Sequence, residues 1–307
     1  MVEVKSVVKK FGGTVVLDNL TCTVKKGTIY GLVGANGAGK STLMRLISGV
    51  YQPEGGEVLV DGQTVYENYA VKERIAFVPD ELYFLPGANI KRMAQIQSAA
   101  HENYDTDLLF DLAGKLELDI KKPIGQFSKG MKRQAATILA LSARPNLILF
   151  DETFDGLDPI VRSAVKRLVA TFILECGATA VITSHSLREL EDTCDQLALL
   201  HKGGLVLESD VYSLKTSLFK IQISLAKKFD RADIEAAGGM EILAYSQKGS
   251  VANIIAGGDR EQAVKCLHAI SPILLDVLPL SLEEVFTYEM KTRGYDFNKI
   301  FGGGENE

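Results

Sequence analysis

The sequence predicts an α/β protein in which a largely parallel sheet, covered by helices on both faces, is followed by a smaller α+β unit. Short all-apolar runs of strand length, such as 146–150 and 178–183, alternate with helical segments such as 160–175. This alternation is typical of a sheet that is buried on both faces. After about residue 217 the expected order of elements changes to βαββαβ, which is the order of a ferredoxin-like unit.

The elements before residue 217 follow from apolar periodicity and from turn residues. The predicted elements are, in order, strands at 2–8, 15–20 and 28–33, a hairpin at 57–65, a strand at 74–78, helices at 88 to about 116 and at 128–142, a strand at 146–150, a helix at about 160–175 and a strand at 178–183. The pair Asp61-Gly62 marks the hairpin turn. A glycine-rich loop separates the third strand from a helical apolar spacing at Leu43, Leu46 and Ile47.

Composition is that of an ordinary soluble globular protein, with 46% apolar and 24% charged residues in a chain of 307. A net charge of −5 disfavours a nucleic-acid partner. No apolar run reaches 18 residues and the first residues lack a signal-peptide core, so we expect no membrane span and no secretion. The four cysteines lack metal or CxxC spacing, which predicts reduced thiols in a cytoplasmic compartment.

The strongest motif is Gly-Ala-Asn-Gly-Ala-Gly-Lys-Ser at residues 34–41, which matches G-x-x-x-x-G-K-[ST]. Glycines allow backbone N–H groups to surround phosphates, and the helix that follows adds its positive end. Lys40 is expected to reach the β and γ phosphates, and Ser41 to place its hydroxyl on Mg²⁺. The predicted ATP-binding residues of this segment are Gly34, Asn36, Gly37, Ala38, Gly39, Lys40, Ser41 and Thr42.

An acidic pair, Asp151-Glu152, follows the later apolar strand. We expect Asp151 to hold Mg²⁺ through water and Glu152 to polarise the attacking water as a general base. Alone, the pair would fit a solvated acidic turn equally well. Its occurrence after a phosphate-binding loop favours the catalytic interpretation, with ATP and Mg²⁺ as the cofactors.

With these motifs in order, about residues 1–215 resemble the nucleotide-binding subunit of an ABC transporter. The resemblance implies a P-loop NTPase domain of the ABC type, with a RecA-like core, an antiparallel β subdomain and a helical subdomain. The ferredoxin-like unit would be an accessory C-terminal domain. The implied boundaries are 1–216 for the ATP-binding domain, 217–290 for the accessory domain and 291–307 for a flexible tail.

Further site residues follow from this resemblance alone. Ser128 and Gly130 stand where the family carries its LSGGQ-type signature, which caps the γ-phosphate held by the other subunit. Gly156-Leu157-Asp158 resembles the D-loop, His185 the switch histidine that contacts the γ-phosphate, and Phe11 the aromatic residue that stacks on adenine. Taken singly, Ser128 would be an ordinary helix N-cap, and His185 and Phe11 would be structural.

Two departures from the family pattern concern turnover. Asp80 stands where the family usually has Gln; it can still ligate Mg²⁺ through water, but it adds negative charge beside a triphosphate. The signature reads Ser-Lys-Gly-Met, so that Lys129 adds charge and Met131 removes an amide. We expect hydrolysis to survive these changes at a reduced rate.

The resemblance implies an ATP-hydrolysing subunit that dimerises on ATP, with an identical chain or a homologous ATPase subunit, and drives a separate integral membrane permease. It would lie in the cytoplasm, peripheral on the inner face of the membrane. The stretch 280–286 (LSLEEVF) resembles the branch of bacterial exporters with a separate permease. The apolar segment 80–90 would seat a permease helix, although internal loop packing explains it as well.

Three alternatives stay open at this point. The first is an importer ATPase of the same superfamily, which the ferredoxin-like order disfavours. The second is a soluble ABC protein that acts on ribosomes or DNA, which a single cassette and the negative charge disfavour. The third is a nucleotide-gated scaffold that binds ATP and dimerises with little turnover, because of the substitutions at Asp80 and Met131. An ATPase assay separates the third from the enzymes.

Overall fold

The computed structural model describes residues 1–154, 157–292 and 294–295. Within these residues the chain forms two compact units, one spanning Met1–Glu208 and one starting at Ser209. Gly156 of the predicted D-loop lies outside the described residues, as does most of the predicted tail at 291–307. The domain boundary expected after residue 216 stays a prediction.

The strands up to residue 210 form two β-sheets. In chain order they are β1 (Val2–Phe11), β2 (Thr14–Val24), β3 (Ile29–Val33), β4 (Gly55–Val60), β5 (Gln63–Thr64), β6 (Ile75–Val78), β7 (Leu147–Phe150), β8 (Thr179–Ser184), β9 (Gln196–His201) and β10 (Gly204–Asp210). One sheet has the order β2-β1-β4-β5, with antiparallel pairs. The other has the order β10-β9-β3-β8-β7-β6, and its pairs from β9 to β6 are parallel.

Five of the seven helices described in this region follow a residue whose side chain caps them. In chain order the seven are α1 (Lys40–Ile47), α2 (Tyr69–Lys72), α3 (Ile90–Ser98), α4 (Thr106–Lys115), α5 (Lys129–Ser142), α6 (Pro159–Cys176) and α7 (Leu187–Leu190). Asn89, Asp105 and Ser128 each accept a hydrogen bond from a backbone N–H in the first turn of their helix. The helix α6 starts at a proline after the capping Asp158.

The central strands β3, β7 and β8 are buried at every position, which explains why their sequences show no polar alternation. Their register pairs Val33 with Ser184 and Phe150 with Ile182. The residues that follow these strands therefore leave the sheet along one edge. In open α/β sheets the crevice at this carboxyl edge is the usual binding position.

Two sequence expectations need correction. The single helical stretch expected over 88–116 is two helices, α3 and α4, because Asp105 starts a new helix. Its side chain accepts from the Leu108 N–H at 2.8 Å and pairs with Arg144 at 2.6 Å. The strands β9 and β10 were not predicted; they are neighbours in the sheet and are joined by two residues, as in a hairpin.

The second unit is a four-stranded sheet with helices between its strands. It begins with helix α8 (Val211–Ser217) and continues with β11 (Leu218–Ser224), α9 (Arg231–Ala237), β12 (Glu241–Lys248), β13 (Val251–Gly257), α10 (Arg260–Ala269), β14 (Leu274–Leu278) and α11 (Leu282–Thr292). The strand order is β12-β13-β11-β14, and all pairs are antiparallel. Ile221, Ile254 and Leu267 are fully buried in its core, which alternating strand positions and the apolar faces of the helices supply.

Candidate nucleotide site

The loop between β3 and α1 has a backbone that requires glycine. Gly37 and Gly39 have φ angles of 80° and 110°, in the region that L residues with a side chain avoid. A Cβ atom at Gly34 would collide with the carbonyl oxygen of Leu200, and one at Gly39 would lie 2.6 Å from the side chain of Leu17. Residues 34–41 therefore form a tight loop that directs the N-terminus of α1 toward the carboxyl edge of the sheet.

Lys40 lies at the centre of this loop with only 4% of its side chain exposed. Its Nζ donates to the carbonyl oxygen of Gly34 at 2.7 Å and lies 3.1 Å from Oε1 of Glu152. A buried ammonium group needs such partners, because desolvation of an unpaired charge is costly. The loop thus presents a positive charge beside the acidic pair that follows β7.

Asp151 is buried at the end of β7, with 2% of its surface exposed. Its Oδ1 accepts a hydrogen bond from the Thr183 hydroxyl at 2.8 Å, and the Ser41 side chain also bonds to it. Burial raises the pKa of Asp151, and these two hydrogen bonds oppose that rise. Ser41 and Asp151, which lie far apart in the sequence, therefore place a hydroxyl and a carboxylate side by side.

Glu152 has a φ angle of 47°, which is unusual for a residue with a side chain. Its backbone N–H donates to the hydroxyl of Thr183 at 2.9 Å, and its carbonyl oxygen accepts from Nη1 of Arg133 at 2.6 Å. Its carboxylate turns toward Lys40. Contacts on both sides of the residue thus hold Glu152 in this conformation.

Asp80 follows β6 and is paired with Arg133 of α5, whose Nη2 lies 2.8 Å from Oδ1 of Asp80. The side chain of Arg133 is only 3% exposed, whereas that of Asp80 is half exposed. The sequence interpretation did not include Arg133. No local signal in the sequence marked it, because both of its partners lie far away in the chain.

These segments surround a cleft of about 340 Å³ at the carboxyl edge of the sheet. It is lined by Val16, Asn36, Gly37, Gly39, Lys40, Ser41, Thr42, Asp80 and Glu152. Sequence reasoning singled out all of these residues except Val16, which β2 contributes from the other sheet. The volume is within the range of small-molecule sites.

Seven residues expected at the site do not line this cleft: Gly34, Ala38 and Asp151, which lie in or beside its loops, and Phe11, Ser128, Gly130 and His185. Ser128 is exposed and caps α5 by accepting from the Met131 N–H at 3.2 Å. An added Cβ at Gly130 would lie 3.5 Å from the side chain of Leu157, so this part of α5 approaches the D-loop segment. His185 is exposed directly after β8. The ring of Phe11 is 43% exposed and contacts Tyr51 edge-on, with a centroid distance of 5.3 Å.

A second depression, of about 300 Å³, adjoins the segment after β6. It is lined by Ile75, Ala76, Phe77, Val78, Pro79, Glu81, Leu82, Tyr83, Phe84, Met93, Gln97, His101, Ala136, Leu139, Ala140 and Ala143. Tyr83 at its rim is 77% exposed. Gln97 Oε1 and His101 Nδ1 are buried without a hydrogen-bond partner among the described residues. Most side chains that line this groove are apolar, and its wall also contains two polar atoms that lack a partner.

Comparison with known proteins places the cleft in context. A protein-family model described as ABC transporter matches residues 17–155. The ABC transporter ATP-binding protein YtrB of Bacillus subtilis (strain 168) is 30% identical over 286 residues, which cover 93% of this chain and 97% of that protein. The bacitracin transport ATP-binding protein BcrA of Bacillus licheniformis is 31% identical over 219 residues, or 70% of this chain and 71% of that protein.

Solved structures agree with these relatives. The ATP binding subunit of an ABC transporter superposes with a TM-score of 0.65 at 25% identity, covering 70% of this chain and 92% of that one. None of the helices in the described parts of the chain combines the length and hydropathy needed to cross a bilayer.

Proposed function

Because the chain belongs to the ATP-binding subunits of ABC transporters, we propose that it hydrolyses ATP and, as a dimer closed by ATP, drives a separate membrane permease. The observation that carries this proposal is that Lys40, Ser41 and Glu152 line one cleft while the buried Asp151 lies beside Ser41. A cation, a hydroxyl, a buried carboxylate and a second carboxylate are the groups that phosphoryl transfer to water requires.

Nucleotide binding is assigned to the loop at residues 34–41. The backbone N–H groups and the N-terminus of α1 favour the phosphates, and Lys40 supplies the charge for the β and γ phosphates. The γ-phosphate would compete with Glu152 for the ammonium group of Lys40, 3.1 Å away. ATP binding therefore frees the carboxylate of Glu152 to meet a water molecule.

A magnesium ion fits beside Ser41 and Asp151. Mg²⁺ prefers oxygen ligands, keeps several waters and is commonly held by one or two carboxylates together with substrate phosphates. The Ser41 hydroxyl and the Asp151 carboxylate, which lie side by side, offer two such oxygens. When bound, the ion neutralises phosphate charge. Asp80 at the cleft rim is a further candidate for a water-mediated contact.

Glu152 is proposed as the general base, with His185 beside the γ-phosphate from the end of β8. Glu152→Gln should retain ATP binding but lower turnover by about 100-fold or more, because an amide accepts no proton. The variant should therefore accumulate an ATP-stable dimer. Steady-state ATPase rates, fluorescent-nucleotide titration and size-exclusion chromatography with MgATP measure the three effects.

The outcome also separates two functions. A Glu152→Gln variant that hydrolyses ATP at the wild-type rate would remove Glu152 from the base role. A wild-type chain that dimerises on ATP without turnover would be a nucleotide-gated scaffold, which the Asp80 and Met131 substitutions favour.

Dimerisation is proposed because part of the expected site lies outside the cleft. Ser128 and Gly130 do not line it, and a single chain carries one set of motifs. In the proposed dimer Ser128 and Gly130 meet the nucleotide held by the other subunit only when two subunits close, whereas Phe11 stacks on adenine. The partner is a second copy or a homologous ATPase subunit.

The permease is proposed to dock in the groove beside 79–84. Most of its lining side chains are apolar, and it carries the unpartnered polar atoms of Gln97 and His101, to which a docked segment could hydrogen-bond. BcrA is a bacitracin transport protein by name and other relatives are lantibiotic transport proteins, which supports export. The subunit would then lie on the cytoplasmic face of the membrane.

The second unit is proposed to be a ferredoxin-like accessory domain, with its boundary near residue 217. The element order βαββαβ and the strand order β12-β13-β11-β14 support this assignment. The match to YtrB is longer than the first unit and extends into the second, whereas the match to BcrA covers a smaller part of the chain.

A further inference from the structure

Arg133 reaches two segments of the site that belong to different strands. Its Nη2 donates to Oδ1 of Asp80 at 2.8 Å, and its Nη1 donates to the backbone oxygen of Glu152 at 2.6 Å. The side chain is 3% exposed. A buried guanidinium group that donates from both Nη1 and Nη2 fixes the position of both partners. A lysine ammonium at the same place lacks this planar arrangement of donors.

The sheet brings the two partners together. The strands β6 and β7 are parallel, with Val78 opposite Phe150. Asp80 and Glu152 each follow two residues after these positions, so they leave the sheet side by side. This register of β6 and β7 therefore allows one arginine on α5 to contact both Asp80 and Glu152.

The backbone of Glu152 needs to be held. Its φ of 47° lies in a region that residues with a side chain populate only when surrounding contacts enforce it. Thr183 holds its amide and Arg133 holds its carbonyl. Removing Arg133 would leave only the hydrogen bond to Thr183, and the orientation of the Glu152 carboxylate would be less well defined.

Arg133 also balances charge. Asp80 and Glu152 line the cleft and Asp151 lies beside Ser41, so three carboxylates would repel a triphosphate there. Lys40 pairs with Glu152, and Arg133 pairs with Asp80. The ion pair with Arg133 thus offsets the charge that Asp80 adds beside the nucleotide.

We propose that Arg133 is a positioning residue for ATP hydrolysis, which holds Glu152 in its catalytic orientation and links it to Asp80. This inference rests on the proposed ATPase function. Asp80 lies between Pro79 and Glu81, both of which line the groove assigned to the permease. A permease contact that moves Asp80 is therefore transmitted through Arg133 to Glu152.

The test uses the purified full chain with MgATP. Arg133→Gln should lower kcat by about tenfold or more while KM for ATP changes by less than about twofold, because the phosphate loop is untouched. Lys132→Gln, which removes the neighbouring cation of the same helix, should leave both parameters unchanged. In a Glu152→Gln background, adding Arg133→Gln should cost no further turnover, since Arg133 acts through Glu152.

The double variant Asp80→Asn, Arg133→Gln should reduce kcat by a smaller factor than the product of the two single reductions. The reason is that neither side of the ion pair is left with an uncompensated charge. If Arg133→Gln does not fold, Arg133→Lys replaces it; that variant keeps the charge, loses the fork and should still lower kcat by about threefold or more. Thermal unfolding of each variant separates lost positioning from lost stability.

Three results would overturn this role for Arg133: kcat within twofold of wild type in both Arg133 variants, a loss that appears in KM alone, or a further multiplicative loss on top of Glu152→Gln. A wild-type chain without turnover would instead overturn the proposed ATPase function. The two failures are therefore distinguishable in the same assay.

Discussion

The two units differ in what they bury. Among the described residues, the first unit buries four charged side chains, Lys9, Lys40, Arg133 and Asp151, of which the last three lie at or beside the candidate site, whereas Ser224 is the buried polar residue of the second unit. Burying charge is costly unless each group is paired. In the first unit, the desolvation of charged groups therefore costs free energy but keeps these groups in fixed positions. The second unit has a core of apolar side chains. This contrast locates the chemistry in the first unit.

The largest expected effect tests the charged centre of the first unit. Lys40→Ala should lower ATP turnover by about 100-fold or more, because it removes the cation that faces the phosphates. Fluorescent-nucleotide titration should show weakened ATP binding. Lys26→Ala, which removes an exposed lysine from the turn before β3, is the matched control. Near-wild-type turnover in Lys40→Ala would place the nucleotide site elsewhere.

The next effect tests the packed core of the second unit. Ile254 is fully buried there, and Ile254→Ala should lower the free energy of unfolding by about 2–5 kcal/mol. Denaturant titration measures the loss. The exposed Ile273 is the control, since its replacement by Ala should change the free energy of unfolding by less than about 0.5 kcal/mol. ATP turnover per folded molecule should stay at the wild-type value, and a fall would contradict the division of roles.

A smaller effect tests what the two units share. Asp105 caps α4 in the first unit and Asp230 caps α9 in the second, each accepting from backbone N–H groups. Asp105→Ala and Asp230→Ala should each cost about 1 kcal/mol of unfolding free energy without changing ATP affinity. The Asn variants, which keep an acceptor, should cost less. Unequal losses of several kcal/mol would show that one cap has a role beyond its helix.

The smallest effect is the pH dependence of the Asp105 cap. The Leu108 N–H and then the Arg144 guanidinium hold the pKa of Asp105 below its ordinary value. A lowered pKa in the folded state adds stability above the unfolded pKa and loses it as pH falls through the folded pKa. The difference in unfolding free energy between the wild type and Asp105→Ala should therefore decrease as pH falls below about 4. An increase in this difference at low pH would contradict a lowered pKa for Asp105 in the folded state.

The resemblance to ABC transporter ATP-binding subunits is confirmed by the relatives, and the ABC-type fold with it. Sequence reasoning also named most residues around the cleft, because they lie in motifs whose spacing is local. It missed Val16, the β9–β10 hairpin and the break between α3 and α4. Val16 lines the cleft only because β2 packs beside a loop distant in the chain. The hairpin turn and the cap at Asp105 are local, and the interpretation did not use their signals.

The sequence alone determined the phosphate-type loop, since its glycines, Lys40 and Ser41 interact within one turn and the helix that follows. It also determined the buried strands, whose residues are apolar throughout. Only the tertiary structure decided that Asp80 pairs with Arg133 and that Arg133 holds Glu152. Those contacts depend on the register of β6 beside β7 and on where α5 packs, and neither is encoded in any local motif.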